Sequence, residues 1–131
     1  MEPSCGQLTP EVSETVETDS TTFGVGTPTP WYLASGIDFI IATLKLRRSS
    51  SLTVNLLYQT ASVRQDKPNA WSAALLASDL TATDTAQCTG LKDISADTGA
   101  AMYVRFAPEY KATAGGTLGK GECPVPLISI G

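Results

Sequence analysis

Three stretches of this chain alternate core-forming and outward-facing residues with a period of two, and that pattern leaves few folds open to it. Ile40, Ala42, Leu44 and Leu46 alternate with Ile41, Thr43, Lys45 and Arg47. Leu52, Val54, Leu56 and Tyr58 alternate with Thr53, Asn55, Leu57 and Gln59, and Met102, Val104 and Phe106 alternate with Tyr103, Arg105 and Ala107. Only an extended backbone puts every second side chain on one face, so each stretch reads as a strand with one side in a core. The first two flank Ser49-Ser50-Ser51, and the spacing predicts a β-hairpin turning at those serines. Pro108 is expected to end the third strand, with Tyr110 to Ala112 continuing past a bulge.

Turn signals fall roughly every ten residues between these strands, at Ser35-Gly36, Lys67-Pro68-Asn69, Thr81 to Asp84 and Gly115-Gly116. Residues 70–80 read as an irregular strand anchored by Trp71. Leu118 to Ile130 reads as a closing strand in which Pro124 and Pro126 cannot donate ladder bonds, so part of it is expected at an edge. The reading is an all-β chain, a β-sandwich or jelly-roll-like domain of about seven or eight strands. Composition agrees with this. Charged residues are 17% of the 131, and the deficit is filled by Thr, Ser, Ala and Gly, whereas a helical bundle needs runs of Glu, Lys and Leu.

Charge divides the chain in two. Glu2, Glu11, Glu14, Glu17 and Asp19 lie in the first 20 residues without a Lys or Arg, and the remainder holds eight acidic and nine basic residues. Residues 1–21 therefore read as an acidic extended N-terminal arm, too polar to order alone, and residues 22–131 as the sandwich domain. The arm is expected to pack on an adjacent subunit and not on its own domain. The cluster Lys45, Arg47 and Arg48 is the candidate docking patch for such an acidic segment, which makes Glu11, Glu14, Glu17, Asp19, Lys45, Arg47 and Arg48 the proposed interaction residues. A nearly neutral body without a long basic run argues against nucleic-acid binding. The longest apolar run, Phe39-Ile40-Ile41-Ala42, is far too short to span a membrane. The opening Met-Glu-Pro-Ser-Cys has neither the basic nor the apolar region of a signal peptide.

Candidate chemistry is sparse. The chain has no histidine, which removes the commonest general base and metal ligand. The close acid pairs, Asp79 with Asp84 and Asp93 with Asp97, sit in turn-like sequence where Asp caps its own backbone; a calcium site is the alternative. Gly115-Gly116 and Gly119-Lys120-Gly121 have the wrong spacing for a phosphate loop. Cys5, Cys88 and Cys123 are widely spaced, and read as reduced, partly buried thiols, with a Cys88–Cys123 bridge as the alternative and zinc binding excluded by the absent ligand spacing. Trp31, Tyr32, Tyr58 and Trp71 read as core aromatics, or alternatively as a stacking platform for sugars. Neither catalysis, a cofactor nor a resident metal is expected.

The Thr/Pro-rich arm, the sandwich pattern, and the segment Ala101 to Pro108 ahead of a Gly-Gly turn together resemble small β-sandwich virion proteins of tailed bacteriophages, of the capsid decoration or auxiliary type. The resemblance covers residues 31–130 as a style of sequence and carries no diagnostic residue. It implies a non-enzymatic assembly protein that binds the major capsid protein or other virion subunits through its surface and arm. It also implies a homo-oligomer, with a trimer among its forms, and a place in the virion after assembly in the host cytoplasm. A carbohydrate- or surface-binding sandwich module is the alternative.

Overall fold

The computed structural model describes residues 6–8, 13–124 and 126–130. The regular structure of the described residues is almost wholly strands: β1 (Gly6–Leu8), β2 (Ser13–Thr18), β3 (Gly24–Val25), β4 (Tyr32–Leu33), β5 (Phe39–Lys45), β6 (Arg47–Ser50), β7 (Leu52–Ala61), β8 (Ala86–Cys88), β9 (Lys92–Asp93), β10 (Tyr103–Ala112), β11 (Gly119–Pro124) and β12 (Leu127–Ile130), with a single helical turn, α1 (Ser95–Thr98). They form three antiparallel sheets. One runs β1-β12-β5-β8 with β9 also on β5; a second sets β7 on one side of β10 and the short β3 and β4 on the other; the third is β2-β11-β6. The all-β sandwich expected from the alternation is present, with more and shorter strands than its period alone resolves.

The expected core is the observed one. Ile40, Leu44, Leu46, Val54, Leu56, Val104 and Phe106 are all fully buried and belong to one cluster that also takes in Leu52, Leu75, Leu80, Tyr110, Cys123 and Ile128. The face holds in the first stretch, but Met102 on the core side of the third is exposed and Tyr58 of the second is half-buried, while β7 buries its other side too, at Thr53, Asn55, Leu57 and Gln59. The expected neighbours are not the observed ones. β5 pairs with β12, β8 and β9, while β7 pairs with β10 over ten residues, from Leu52↔Ala112 to Ala61↔Tyr103. The expected hairpin is thus a crossing between layers. β6 intervenes and pairs with β11, and Arg48 within it and Ser51 just after it adopt left-handed backbone (φ 48° and 55°), a conformation non-glycine residues reach at a cost. Alternation reports which face is buried, and a strand folded over a core satisfies it as well as a strand paired beside its neighbour.

The same correction applies at Gly115-Gly116. The turn is there, with Gly116 at φ 78°, but it leads from β10 into β11, which pairs with β2 and β6. Gly119 is required at that corner because a Cβ would lie 2.5 Å from the Ser51 carbonyl oxygen. The closing segment also divides. β11 ends at Pro124 in one sheet, Pro126 belongs to neither strand, and β12 sits between β1 and β5 in another. The prolines mark a change of sheet instead of an edge.

Pro108 does not end its strand. Phe106 turns its N–H and carbonyl to residue Thr29, donating to Oγ1 at 3.0 Å and accepting from the amide at 2.7 Å. Two residues on, Pro108 turns the same way, and its carbonyl accepts the Gly26 N–H at 2.8 Å. Its missing donor therefore faces the irregular Thr27-Pro28-Thr29-Pro30 segment and removes no bond to β7. Residues 70–80 follow β7 without regular pairing, with Ser72, Leu75 and Leu80 donating to the carbonyls of Tyr58, Leu56 and Val54. Buried Leu75, Leu76 and Leu80 anchor that segment; Trp71 is only partly buried.

The described parts of residues 1–21 also correct an expectation. β1 pairs with β12, and β2 pairs with β11 over six residues from Gly119↔Thr18 to Pro124↔Ser13. Both lie on the chain's own body, so the boundary at residue 21 cuts through a sheet. Polar strands cannot make a core, yet their backbones can complete a ladder that the body already offers. Because Leu44 and Phe106 have no exposed surface, Leu44→Ala should cost about 2–5 kcal/mol and Phe106→Ala about 3–5 kcal/mol in denaturant unfolding, with the unfolding slope unchanged.

Candidate interaction surface

The acidic and basic residues singled out in sequence are separated by one strand. Because the third sheet runs β2-β11-β6, the acids of β2 and the arginines of β6 each meet a charge on β11 between them. Lys120 lies 3.7 Å from Glu17, and Glu122 lies 3.8 Å from Arg48. These pairs are solvent-exposed and contribute about 0–1 kcal/mol each. Arg47 is exposed opposite Glu122, Asp19 is exposed just beyond β2, and Lys45 sits at the end of β5 opposite Ala86. Glu11 and Cys5 lie outside the described residues. Within one chain the six described residues of this set do not form a single patch.

Glu14 does something that sequence did not indicate. One carboxylate oxygen accepts from the Thr27 hydroxyl at 2.7 Å and the Thr27 amide at 3.2 Å, and the other accepts from the Tyr110 hydroxyl at 2.9 Å. Beneath it Tyr110 reaches Cys123, and burial pushes the Cys123 thiol up to about 12 and the Tyr110 phenol far above its usual range. Such a thiol is not a nucleophile at neutral pH. The set fastens β2 across β3 and β10, beside a groove of about 470 Å³ lined by Glu17, Phe23 and Val25. Gly26 is required there, since a Cβ would collide with the Tyr110 ring and approach the Glu14 carboxylate to 2.9 Å.

The outward sheet faces carry the apolar groups. On the five-stranded sheet Phe39, Ile41 and Leu127 are 41%, 42% and 37% exposed. Register puts Ile41 opposite Ser129 and Thr43 opposite both Leu127 and Cys88, with Asp93 opposite Phe39 at one end and Lys45 at the other, so these residues share one side between two charges. A sandwich face turned to water ordinarily alternates to polar residues, and apolar groups in a row mark a surface meant to be covered. On the four-stranded sheet Trp31 and Trp71 bracket Arg105, with ring centroids 4.3 and 5.4 Å from its guanidinium carbon. The four aromatics therefore do not form one platform. Tyr32 and Tyr58 pack against the core, and the tryptophans lie outside it.

Of the turn acids only Asp93 caps its own backbone, while Asp79 and Asp97 accept from side chains distant in sequence. Asp93 accepts from the amide and hydroxyl of Ser95, which hold its carboxyl below the usual range. Asp79 accepts from Asn55 at 2.6 Å, and Asp84 adopts φ 58°. Asp97 accepts from the Tyr58 hydroxyl, whose ionisation is pushed up to about 12 by burial first and by that bond second. Tyr58, Asp97, Asn69 and Trp71 line a hollow of about 360 Å³. Among the described residues no three Cys, Asp or Glu converge as a metal would require, and no helix is long and apolar enough to cross a membrane.

Comparison with known proteins gives a fold and no family. No family model matches the chain, and no curated protein matches it. Among solved structures, a chain in the structure of infectious bursal disease virus, Gt strain, superposes with a TM-score of 0.54 at 8% identity. The match covers 97% of this chain and 32% of that one, so this chain spans about a third of its structural neighbour. What the two share is the β-sandwich, and it is a fold present in a virus structure. The tailed-phage part of the sequence resemblance has no counterpart in this match.

Two measurements check the site. Cys88 is exposed and Cys123 is buried, and the two do not pair, so maleimide should label Cys88 rapidly at pH 7 and Cys123 only after denaturation. Glu109 is held above its ordinary range, by burial first and then by Asp79, with Lys111 opposing. A carboxyl raised in the folded state adds stability at low pH that is lost as pH rises from the unfolded value through the folded one. Glu109→Gln should therefore raise the melting temperature at pH 7, and the gain should vanish near pH 4.

Proposed function

We propose that the protein is a non-enzymatic structural component of a virus particle, of the capsid decoration or auxiliary kind, that docks on neighbouring subunits through its outward sheet faces and its N-terminal strands. The observation that carries this reading is the apolar side of the five-stranded sheet, Phe39, Ile41 and Leu127, which leaves hydrophobic groups in water unless another subunit covers them. The sandwich shared with a chain of a virus structure supports it. So does the open side of β2, an edge strand paired on one side only with β11, where a neighbouring backbone can add. The partners are the major capsid protein or other virion subunits, the chain forms a homo-oligomer, and assembly takes place in the host cytoplasm.

Light scattering on the purified full chain, alone and mixed with particles, tests this. The natural sequence should self-associate or bind particles, and Ile41→Asp should abolish both while shifting stability by no more than about 0.5 kcal/mol, because the residue is exposed. Incorporation should protect Cys88 from maleimide. A chain that stays monomeric, ignores particles and binds glycans in the hollow beside Trp71 would overturn the reading in favour of a carbohydrate-binding module.

A further inference from the structure

Arg105 is an unusual cation in this molecule. It projects from the middle of β10 on the side opposite Val104 and Phe106, and it is partly buried. Trp31 and Trp71 hold its guanidinium between them, and Nε donates to Gln59 Oε1 at 2.9 Å on the paired strand. Gln59 is itself buried and tied to the Asn69 carbonyl at 2.8 Å. The guanidinium plane is thereby fixed at three points. Its two terminal nitrogens have no acceptor among the described residues, and no carboxylate there pairs with it, whereas Arg48, Arg64 and Lys120 each have one. Burial also disfavours its charge, so the protein maintains a partly desolvated, immobilised cation without a counter-ion.

The surroundings define what would complete it. Leu33 is 66% exposed and lies opposite Tyr103 on the same side of the sheet as Arg105. Tryptophan, tyrosine and arginine are the residues that most often form the energetic centre of a protein–protein contact. A fixed guanidinium offers two parallel donors that match the two oxygens of a carboxylate. The indole faces turned toward Arg105 are already occupied, which leaves them unavailable to stack a sugar ring, while Leu33 offers an apolar side chain for a partner to cover.

We infer that the outward face of the four-stranded sheet, centred on Arg105 between Trp31 and Trp71, receives an aspartate or glutamate side chain from a segment of a neighbouring protein subunit. That the partner is a virion subunit rests on the function proposed above; the carboxylate chemistry does not, and it is tested without assembly. The side-chain Nε–H resonance of Arg105 is followed in the full-length protein during titration with acetyl-Thr-Glu-Thr-amide, acetyl-Thr-Gln-Thr-amide and glucuronic acid. The glutamyl peptide should shift the resonance saturably and quench tryptophan fluorescence, and the glutaminyl peptide should do neither. Arg105→Gln should lose the fluorescence response while keeping its melting transition, and Trp31→Ala should weaken binding about tenfold. Equal responses to the two peptides, or no response to either, would overturn the inference. A response to glucuronic acid with none to the glutamyl peptide would overturn it too, and would assign the site to an acidic saccharide.

Discussion

The ten-residue pairing of β7 with β10 organises the rest of the molecule. It is the longest ladder among the described residues, and both strands turn one side to the core; the other side is mostly half-buried along β10 and buried along β7 at Thr53, Asn55, Leu57 and Gln59. On the inner side Leu52, Val54, Leu56, Val104 and Phe106 meet Ile40, Ala42 and Leu44 of the facing sheet. On the outer side Gln59 and Arg105 sit directly opposite one another. Two irregular segments are then placed by hydrogen bonds to the free edges of this pair: residues 24–33 along β10, and residues 69–80 along β7. Backbone groups that would otherwise be stranded at a long edge are thus satisfied by chain too irregular to be a strand of its own.

The third sheet has a different character. Its central strand, β11, is rich in glycine and charge, and it holds together through two devices. One is close approach: Gly119 and Gly121 let β11 lie against Ser51 and Leu52 at distances that a side chain would forbid. The other is fastening by Glu14, which gathers Thr27 and Tyr110 and so fixes β2 beside the body. The acids of the N-terminal region are consequently spent in two ways. Glu14 is structural, while Glu17 is a weak exposed partner of Lys120.

Function, on this reading, belongs to surfaces instead of a cleft. Two opposite sides of the sandwich carry groups that water serves poorly: an apolar row on the five-stranded sheet and a clamped arginine on the four-stranded sheet. The buried thiol of Cys123, the cap formed by Asp93 and the bond from Asn55 to Asp79 contribute to order.

The sequence by itself determined the strands and their faces. Ile40, Leu44, Val54, Leu56, Val104 and Phe106 are buried because a period of two leaves them no other place once the segment is extended. It did not determine which strands lie side by side. A short serine-rich link can fold a strand back beside its predecessor or carry it over the core to the opposite layer, and the alternation of Leu44 to Leu56 is identical in both. The tertiary structure chose the crossing, through left-handed Arg48 and Ser51 and the glycines of β11 that make room for it. Pro108 was misleading for a related reason: whether a missing N–H ends a strand depends on which neighbour it faces, and that neighbour is distant in sequence. Only the fold could bring Trp31, Gln59, Trp71 and Arg105 together, because their proximity rests on pairing between segments tens of residues apart, and no local pattern records it.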